Sequence, residues 1–264
     1  MGTILKKELL RTRFGLVIWG IVVGILAIFA LMEYPIVSQQ LDTLEKAMAA
    51  IPKIGQLIFG VYNADLHSYI GYHVVMYYWI GLIVFTHAIY TGASVISKES
   101  RDKTAEYLFT KPIKRSAIVW AKIFAGFINV LLIATAATAM SLVGMMVIAN
   151  DPAIYVQVLI SGVGMLLTQC VLMSFGLLCS AISKSYGSAT KRAITVLIAS
   201  YCLMFLVQYF EVPSLNFLSP LAYFGVADVV ANGPNLMYVL LSAAVIAACL
   251  YLTQKLYAAK EIAL

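Results

Sequence analysis

Charged residues are scarce in this chain: only 11% of its 264 residues are charged, 62% are hydrophobic, and the mean hydropathy is +0.92. A soluble globular domain carries about 25% charged residues. This chain has too little charge to cover a surface that faces water. The scarcity therefore excludes a soluble domain, a disordered chain and a nucleic-acid-binding module, and it predicts an integral membrane protein.

Several sequence signatures of chemistry are also missing. The chain contains no G-x-x-x-x-G-K-[ST] loop, which would bind nucleotide phosphates, and neither H-E-x-x-H nor G-x-S-x-G. Its four cysteines form no C-x-x-C pair, and all of them fall in apolar stretches. We therefore expect no catalytic site, metal site, cofactor or disulfide in this chain. An intramembrane enzyme is disfavoured for the same reasons.

Long apolar stretches dominate what is present. A helix of about 20 apolar residues crosses a bilayer core of about 30 Å, and the charges divide the chain into six stretches of about that length or longer. We predict an all-α integral membrane protein whose residues 1–264 form one transmembrane domain. The six predicted spans are 14–33, 71–97, 119–149, 154–183, 193–211 and 236–256.

The basic residues predict how these spans are oriented. Cytoplasmic loops are enriched in Lys and Arg. With both termini in the cytoplasm, 16 of the 18 basic residues fall on the inner side, which leaves only Lys46 and Lys53 outside. We therefore expect a multi-pass protein of the plasma membrane with cytoplasmic N- and C-termini.

Two further segments are predicted to lie along or within the membrane surface. Before the first span, Ile4, Leu5, Leu9 and Leu10 alternate with basic residues, which favours a short amphipathic N-terminal helix at the inner surface. A frayed basic tail is the alternative. Segment 211–235 holds three of the seven prolines and is nevertheless apolar, so we expect short helices that re-enter the outer leaflet before the last span.

The charge that the chain does have is concentrated between the second and third spans. Nine of the 18 residues from Lys98 to Arg115 are charged, so this segment belongs in the cytoplasm. Within it, Ala105, Leu108 and Phe109 share one face of a short helix that ends before Pro112. An exposed helix with an apolar face needs a cover, either a partner protein or lipid head groups.

This arrangement resembles the ABC-2 type (type-2, exporter-like) permease subunits of ATP-binding-cassette transporters. Those subunits have six spans and carry a coupling helix between the second and third. This chain follows their coupling pattern in order, with Lys103 where the family usually has glycine, and segment 218–224 resembles a second family segment before the last span. The matching residues are Glu99, Thr104, Glu106, Leu108, Pro112, Arg115 and Lys122.

The resemblance implies an ATP-driven transport complex. Two copies of a separate ATPase subunit would bind ATP and Mg²⁺, and they would move the permease through its coupling helix, including the apolar Phe109. A second permease, either another copy or a paralogue, would complete the pathway. The expected cargo is an exported hydrophobic or amphipathic molecule such as a peptide, an antibiotic or a lipid. This chain itself would be a transporter subunit and not an enzyme.

Polar residues inside the spans are candidates for a translocation path, because lipid makes them costly. They are Asn129, Gln169 and Gln208, and hydrogen bonding between helices is the alternative for each. Gly20 and Gly24 form a GxxxG motif in the first span, which fits either a dimer interface or packing within the chain.

Two other functions fit the same features. A membrane anchor or assembly protein would dock a cytosolic partner without moving any cargo, and the predicted docking helix is compatible with that role. A secondary carrier is expected to carry an acidic–basic pair within a span or to show internal repeats, and the sequence shows neither.

Overall fold

The computed structural model describes residues 2–62, 64–102 and 115–259, without the side chains of 99–102, 115 and 258–259. Within these ranges every regular element is helical. The elements are α1 Gly2–Gln39, α2 Leu41–Ala49, α3 Lys53–Phe59, α4 Tyr69–Asp102, α5 Arg115–Ile148, α6 Pro152–Ile182, α7 Tyr186–Phe210, 3₁₀ turns at Pro213–Leu218 and Pro220–Ala222, α8 Val226–Asn232 and α9 Leu236–Ala259.

Six of these helices, α1, α4, α5, α6, α7 and α9, are long and apolar enough to cross a membrane. The prediction of an all-helical protein with six such helices is confirmed. Short breaks separate α5 from α6 and α6 from α7, and both following helices are capped. The Asp151 carboxylate accepts a hydrogen bond from the Ala153 amide at 2.9 Å, and the Ser185 hydroxyl accepts one from the Ser188 amide at 3.3 Å.

The N-terminal residues are helical, as predicted, but they do not form a short helix of their own. Helix α1 runs without a break from Gly2 to Gln39, a length of about 57 Å at 1.5 Å per residue. Its first turns stay in line with the apolar part because Glu8 is buried against Lys98 and Lys122, at the end of α4 and near the start of α5. An ion pair between helices thus fixes these first turns, and their position at the membrane surface stays a prediction.

Helices α4 and α6 form the centre of the bundle and run parallel to each other. Near one end, the His73 ring and the Ser161 hydroxyl share a hydrogen bond of 2.9 Å. Near the other, Gly92 faces Gly176, and a Cβ built on either glycine would lie 3.0 Å from the Cα of the other. Only glycine allows two helix backbones to approach this closely.

Helix α1 packs along α5, also in parallel. Thr12 and Asn129 exchange hydrogen bonds at the start of this contact. Further along, a Cβ on Gly24 would lie 3.2 Å from Met140 Cε. The opposite face of α1 is exposed and apolar, as expected for a helix that faces lipid.

The bundle has two distinct ends. At the first, which we call the basic end, α1 begins, α4 ends and α5 begins around the Glu8, Lys98 and Lys122 cluster. At the second, which we call the loop end, lie α2, α3, the two 3₁₀ turns and α8.

The segment before the last span consists of short helical turns, as predicted, and its middle part, residues 219–224, is largely buried in protein. The Ser219 hydroxyl donates to the carbonyl of Ser200 at 2.7 Å. Phe224 and Val229 pack beside Gly164 of α6. Its depth in the membrane stays a prediction.

The contact between Gly92 and Gly176 predicts a large effect for a small change. Gly176→Ala would drive a methyl group into the Ile89 carbonyl oxygen, which is backbone and cannot rotate away. We expect a loss of about 1–3 kcal/mol in stability, measured as a lower melting temperature of the purified protein in neutral detergent.

Gly20→Ala is the matched control, because a Cβ at Gly20 meets nothing within 4 Å. Alanine is favoured over glycine inside a helix by about 0.5–1 kcal/mol, so this variant should melt at the wild-type temperature or slightly above it. Equal melting temperatures for Gly176→Ala and Gly20→Ala would contradict the close approach of α4 and α6.

Candidate functional site

A buried cluster of three charged side chains holds the basic end together. The Glu8 carboxylate contacts Lys122 Nζ at 2.9 Å through Oε1 and Lys98 Nζ at 2.5 Å through Oε2. Lys122 is 0% exposed, and its ammonium also donates to the Val95 carbonyl at 3.2 Å. Because α1, α4 and α5 each contribute one member, the cluster joins three helices at one point.

This cluster lies at the end of α4 and near the start of α5, the two helix ends that border residues 103–114 in the sequence. Lys98 comes one turn before the end of α4, and Lys122 comes two turns after the start of α5. Truncating one partner of a buried ion pair leaves an uncompensated charge and costs about 3–5 kcal/mol. The two helices that flank the segment are therefore firmly tied to each other and to α1.

A polar cavity of about 260 Å³ lies beside this cluster. Its walls come from α1, α4, α5 and the start of α7, and they include Arg11, Lys98 and Asn129. At its deeper side, His87 stacks edge-on against Trp19 with ring centroids 5.3 Å apart. We call this space the basic-end cavity.

A larger cavity of about 510 Å³ opens at the loop end. Aromatic side chains of α4 and α7 line it, among them Tyr77, Phe85 and Tyr201, together with the amide of Gln208. The two cavities use different faces of α4, because Phe85 and His87 are two residues apart and point about 160° away from each other around the helix.

An ion pair stands at the rim of the loop-end cavity. Lys53 Nζ on α3 donates to Glu211 Oε1 at 2.6 Å, and the Tyr62 hydroxyl donates to the same oxygen at 2.6 Å. These hydrogen bonds, with Lys53 contributing most, lower the pKa of the Glu211 carboxyl below its ordinary value of 4.5. The same pairing raises the pKa of Lys53.

The structure separates the residues predicted to form the translocation path. Asn129 lines the basic-end cavity and Gln208 lines the loop-end cavity. Gln169 lines neither of these two cavities. It is 0% exposed on α6, and neither of its amide atoms has a hydrogen-bond partner within the described residues.

The two glycines of the predicted dimer motif have different surroundings. Gly24 faces Met140 of α5 in the same chain, whereas Gly20 faces open space. Packing within the chain thus accounts for Gly24, and a dimer interface stays a prediction.

The predicted coupling residues fall mostly outside the described part of the chain. Glu99 continues α4 and Arg115 begins α5, with their side chains outside the description. The coupling helix therefore stays a prediction. The residues outside the description are Thr104, Glu106, Leu108, Phe109 and Pro112.

Sequence reasoning missed the central residue of the charged cluster. Glu8 stands as a single acid among basic residues before the first span, and that isolation was the available signal. Its partners are 90 and 114 positions away, so no local pattern connects them. Lys122 was recognised only as part of the family pattern, and Lys98 only as one of the charges at the end of the second span.

These features describe a multi-pass membrane protein with a polar cavity at one end and an aromatic cavity at the other. A scan against family models matches residues 2–262 to the ABC-2 family transporter protein model. The chain therefore belongs to the ABC-2 transporter family, whose members are the membrane components of transporters and normally work with an ATP-binding-cassette subunit. A comparison with curated proteins found no match.

The charged cluster predicts that its single acid is essential for stability. Glu8→Gln would leave two lysines buried without a counter-charge, and we expect it to cost about 3–5 kcal/mol. Adding Lys98→Met should restore part of the loss, since one unpaired cation is then removed. Thermal unfolding in neutral detergent measures both effects.

Glu33→Gln is the matched control, because Glu33 is an exposed acid on the same helix. It should melt close to wild type. If Glu8→Gln also melted close to wild type, the cluster would not be what holds the basic end together.

The rim ion pair predicts a pH dependence at the loop end. Because the pKa of Glu211 is lowered in the folded state, its stabilising contribution is present above pH 4.5 and is lost as the pH falls through the lowered value. The melting temperature of the wild type should therefore exceed that of Glu211→Gln at pH 7, and this difference should shrink below pH 4.5.

Lys53→Gln should show the same dependence of melting temperature on pH. The double variant should lose less stability than the sum of the losses of the two single variants. If the difference in melting temperature did not depend on pH, or if the stability losses of the two single variants simply added up in the double variant, the two residues would act separately.

Proposed function

We propose that this chain is the permease subunit of an ATP-driven exporter, energised by a separate ATPase that docks on segment 99–115. The ATPase would be present in two copies and would carry ATP and Mg²⁺, and a second permease copy or a paralogue would complete the pathway. Membership of the ABC-2 transporter family supports this assignment.

The observation that carries the coupling proposal is the cluster around Glu8. A partner that pushes on residues 103–114 acts on α4 and α5 at once, and the Glu8 contacts to Lys98 and Lys122 pass that displacement to α1. Packed elements with fixed buried contacts shift as units and deform little. Motion of the docking segment is thus expected to become motion of three helices.

The orientation proposal rests on charge. The basic end carries Lys98, Lys122 and Arg11, whereas Lys53 lies at the loop end. Because basic residues concentrate on the cytoplasmic side, we place the basic end, and with it both termini, in the cytoplasm of a cell whose plasma membrane holds the protein.

The cargo proposal rests on the two cavities. Asn129 and Gln208 each place an amide in a wall that is otherwise partly apolar. Such mixed walls suit a hydrophobic or amphipathic cargo better than a fully hydrated one. Gln169 is retained as a third candidate for the path, since a buried amide without a partner is costly and calls for a functional explanation.

The decisive experiment is capture of the partner. Tagged full-length protein is isolated in mild detergent, and its partners are identified by mass spectrometry and an ATPase assay. The wild type should recover an ATPase with a phosphate-binding G-x-x-x-x-G-K-[ST] loop. Changing Leu108 and Phe109 together to Asp should reduce recovery at least tenfold, because charge replaces the apolar docking face.

The matched control changes Ile54 and Ile58 to Asp, since both are exposed apolar residues at the opposite end of the bundle. Recovery should then equal the wild-type level. Absence of any ATPase, or equal recovery with both pairs of substitutions, would overturn the proposal and favour a non-transporting anchor or a carrier.

A further inference from the structure

The loop-end cavity has the lining of a site for an organic cation. Aromatic rings make up much of its wall, including those of Tyr77, Tyr78 and Tyr201, and the face of such a ring attracts a cation. Among the described residues no lysine, arginine or histidine lines it, whereas Glu211 and Asp228 do. Its volume of about 510 Å³ falls in the range of cavities that hold small organic molecules, about 300–1,000 Å³.

Asp228 is the acid of this cavity that has no counter-charge. Glu211 is already paired with Lys53, so its charge is balanced. The Asp228 carboxylate, in the first turn of α8, forms no ion pair and no hydrogen bond with any residue that the structure describes. A Cβ built on Gly225, which also lines the cavity, would lie 3.5 Å from Asp228 Oδ2. This carboxylate is therefore at the cavity wall and free to accept a cation.

A second polar group in the wall also lacks a partner. The Tyr77 side chain is only 7% exposed, and its hydroxyl has no hydrogen-bond partner in the described part of the chain. The neighbouring Tyr78 hydroxyl, by contrast, donates to the carbonyl of Ile58 at 2.9 Å. A buried polar atom without a partner indicates a group that is satisfied only when water or a ligand is bound. The Tyr77 oxygen can accept a hydrogen bond from an ammonium group.

The charge of the whole loop end has the sign that attracts a cation. The three stretches that build this end, residues 33–69, 149–152 and 211–235, contain seven acidic residues and two lysines. Asn63, which lies outside the described residues, is uncharged. A surface with such an excess of acid raises the local concentration of cations and lowers that of anions.

The chain itself provides an example of the contact at the rim of the cavity. Lys53 Nζ lies 4.9 Å from the centre of the Tyr62 ring, inside the limit of about 6 Å for a cation–π contact, and 2.6 Å from Glu211 Oε1. One tyrosine ring and one carboxylate thus hold an ammonium beside the cavity. Asp228 and the ring of Tyr201 provide the same two kinds of group in its wall.

We propose that the loop-end cavity binds a protonated amine that carries an apolar or aromatic body. The ammonium contacts Asp228 and a tyrosine ring, and the body lies against the apolar part of the wall, which includes Leu57, Leu221 and Phe224. This inference narrows the amphipathic cargo proposed above to a cationic one, and the assignment of the ligand as cargo rests on that proposed function. Binding itself requires no ATPase, so a failure to bind and a failure to capture the partner are distinguishable.

The test is calorimetric titration of the purified full-length permease in neutral detergent at neutral pH. Three probes share a naphthalene ring and differ only in the group at the end of a short chain. They are naphthylethylammonium, the neutral naphthylethanol and the anionic naphthylpropanoate. The ammonium should bind saturably, and the other two should bind at least tenfold more weakly, because neither carries the positive charge that Asp228 and the rings attract.

Two pairs of variants locate the site. Asp228→Asn removes the charge with little change of shape and should weaken ammonium binding about tenfold. Asp42→Asn is its matched control and should change affinity less than twofold, since Asp42 is also an exposed acid in the first turn of a short loop-end helix but does not line the cavity. Tyr201→Leu removes a ring and should weaken binding about fivefold, whereas Tyr201→Phe keeps the ring face and should bind almost as the wild type does.

Three results would overturn the proposal. Equal affinity for the alcohol and the ammonium would show that the positive charge is not recognised. Equal losses of affinity in Asp228→Asn and Asp42→Asn would show a general attraction to an acidic surface and no site. Wild-type affinity in Tyr201→Leu would place the ligand outside the cavity. Because Asp228 and Asp42 are both exposed, their variants should melt at the wild-type temperature, and their comparison decides the question even if Tyr201→Leu is unstable.

Discussion

The close approach of α4 and α6 is the constraint on which the rest of the bundle depends. Gly92 and Gly176 let the two backbones touch, and no other residue type fits at either position. In lipid, apolar side chains gain little from leaving their surroundings, so helix association relies on tight packing and on polar contacts between helices. The α4–α6 pair is the most deeply buried part of the structure, and the peripheral helices are positioned against the surface that it presents.

The second organising principle is the distribution of charge. Ionisable groups are avoided along the lipid-facing surfaces and gathered at the basic end, where Glu8 balances part of the charge of Lys98 and Lys122. One cluster thus fixes the ends of three helices at the same point.

The sequence was sufficient for the spans because a bilayer imposes a length and a composition that any helix crossing it must satisfy. It was insufficient for α1, whose first turns were assigned to a separate surface helix. The contact that keeps them in line joins Glu8 to Lys122, 114 positions away, and no periodicity reports such a pair. The Gly92–Gly176 contact could not be predicted for the same reason. Asn129 and Gln208 were singled out because a polar residue in an apolar run is conspicuous; each lines a cavity, and their role in a translocation path stays a prediction.

The position of Glu8 at the start of the chain has a consequence for biogenesis. The carboxylate is synthesised long before Lys98 and Lys122, the two cations that it neutralises. Burying the two lysines at the ends of α4 and α5 is favourable only with the carboxylate beside them. The acid thus precedes along the chain both cations that need it, so α1 is available when α4 and α5 are synthesised.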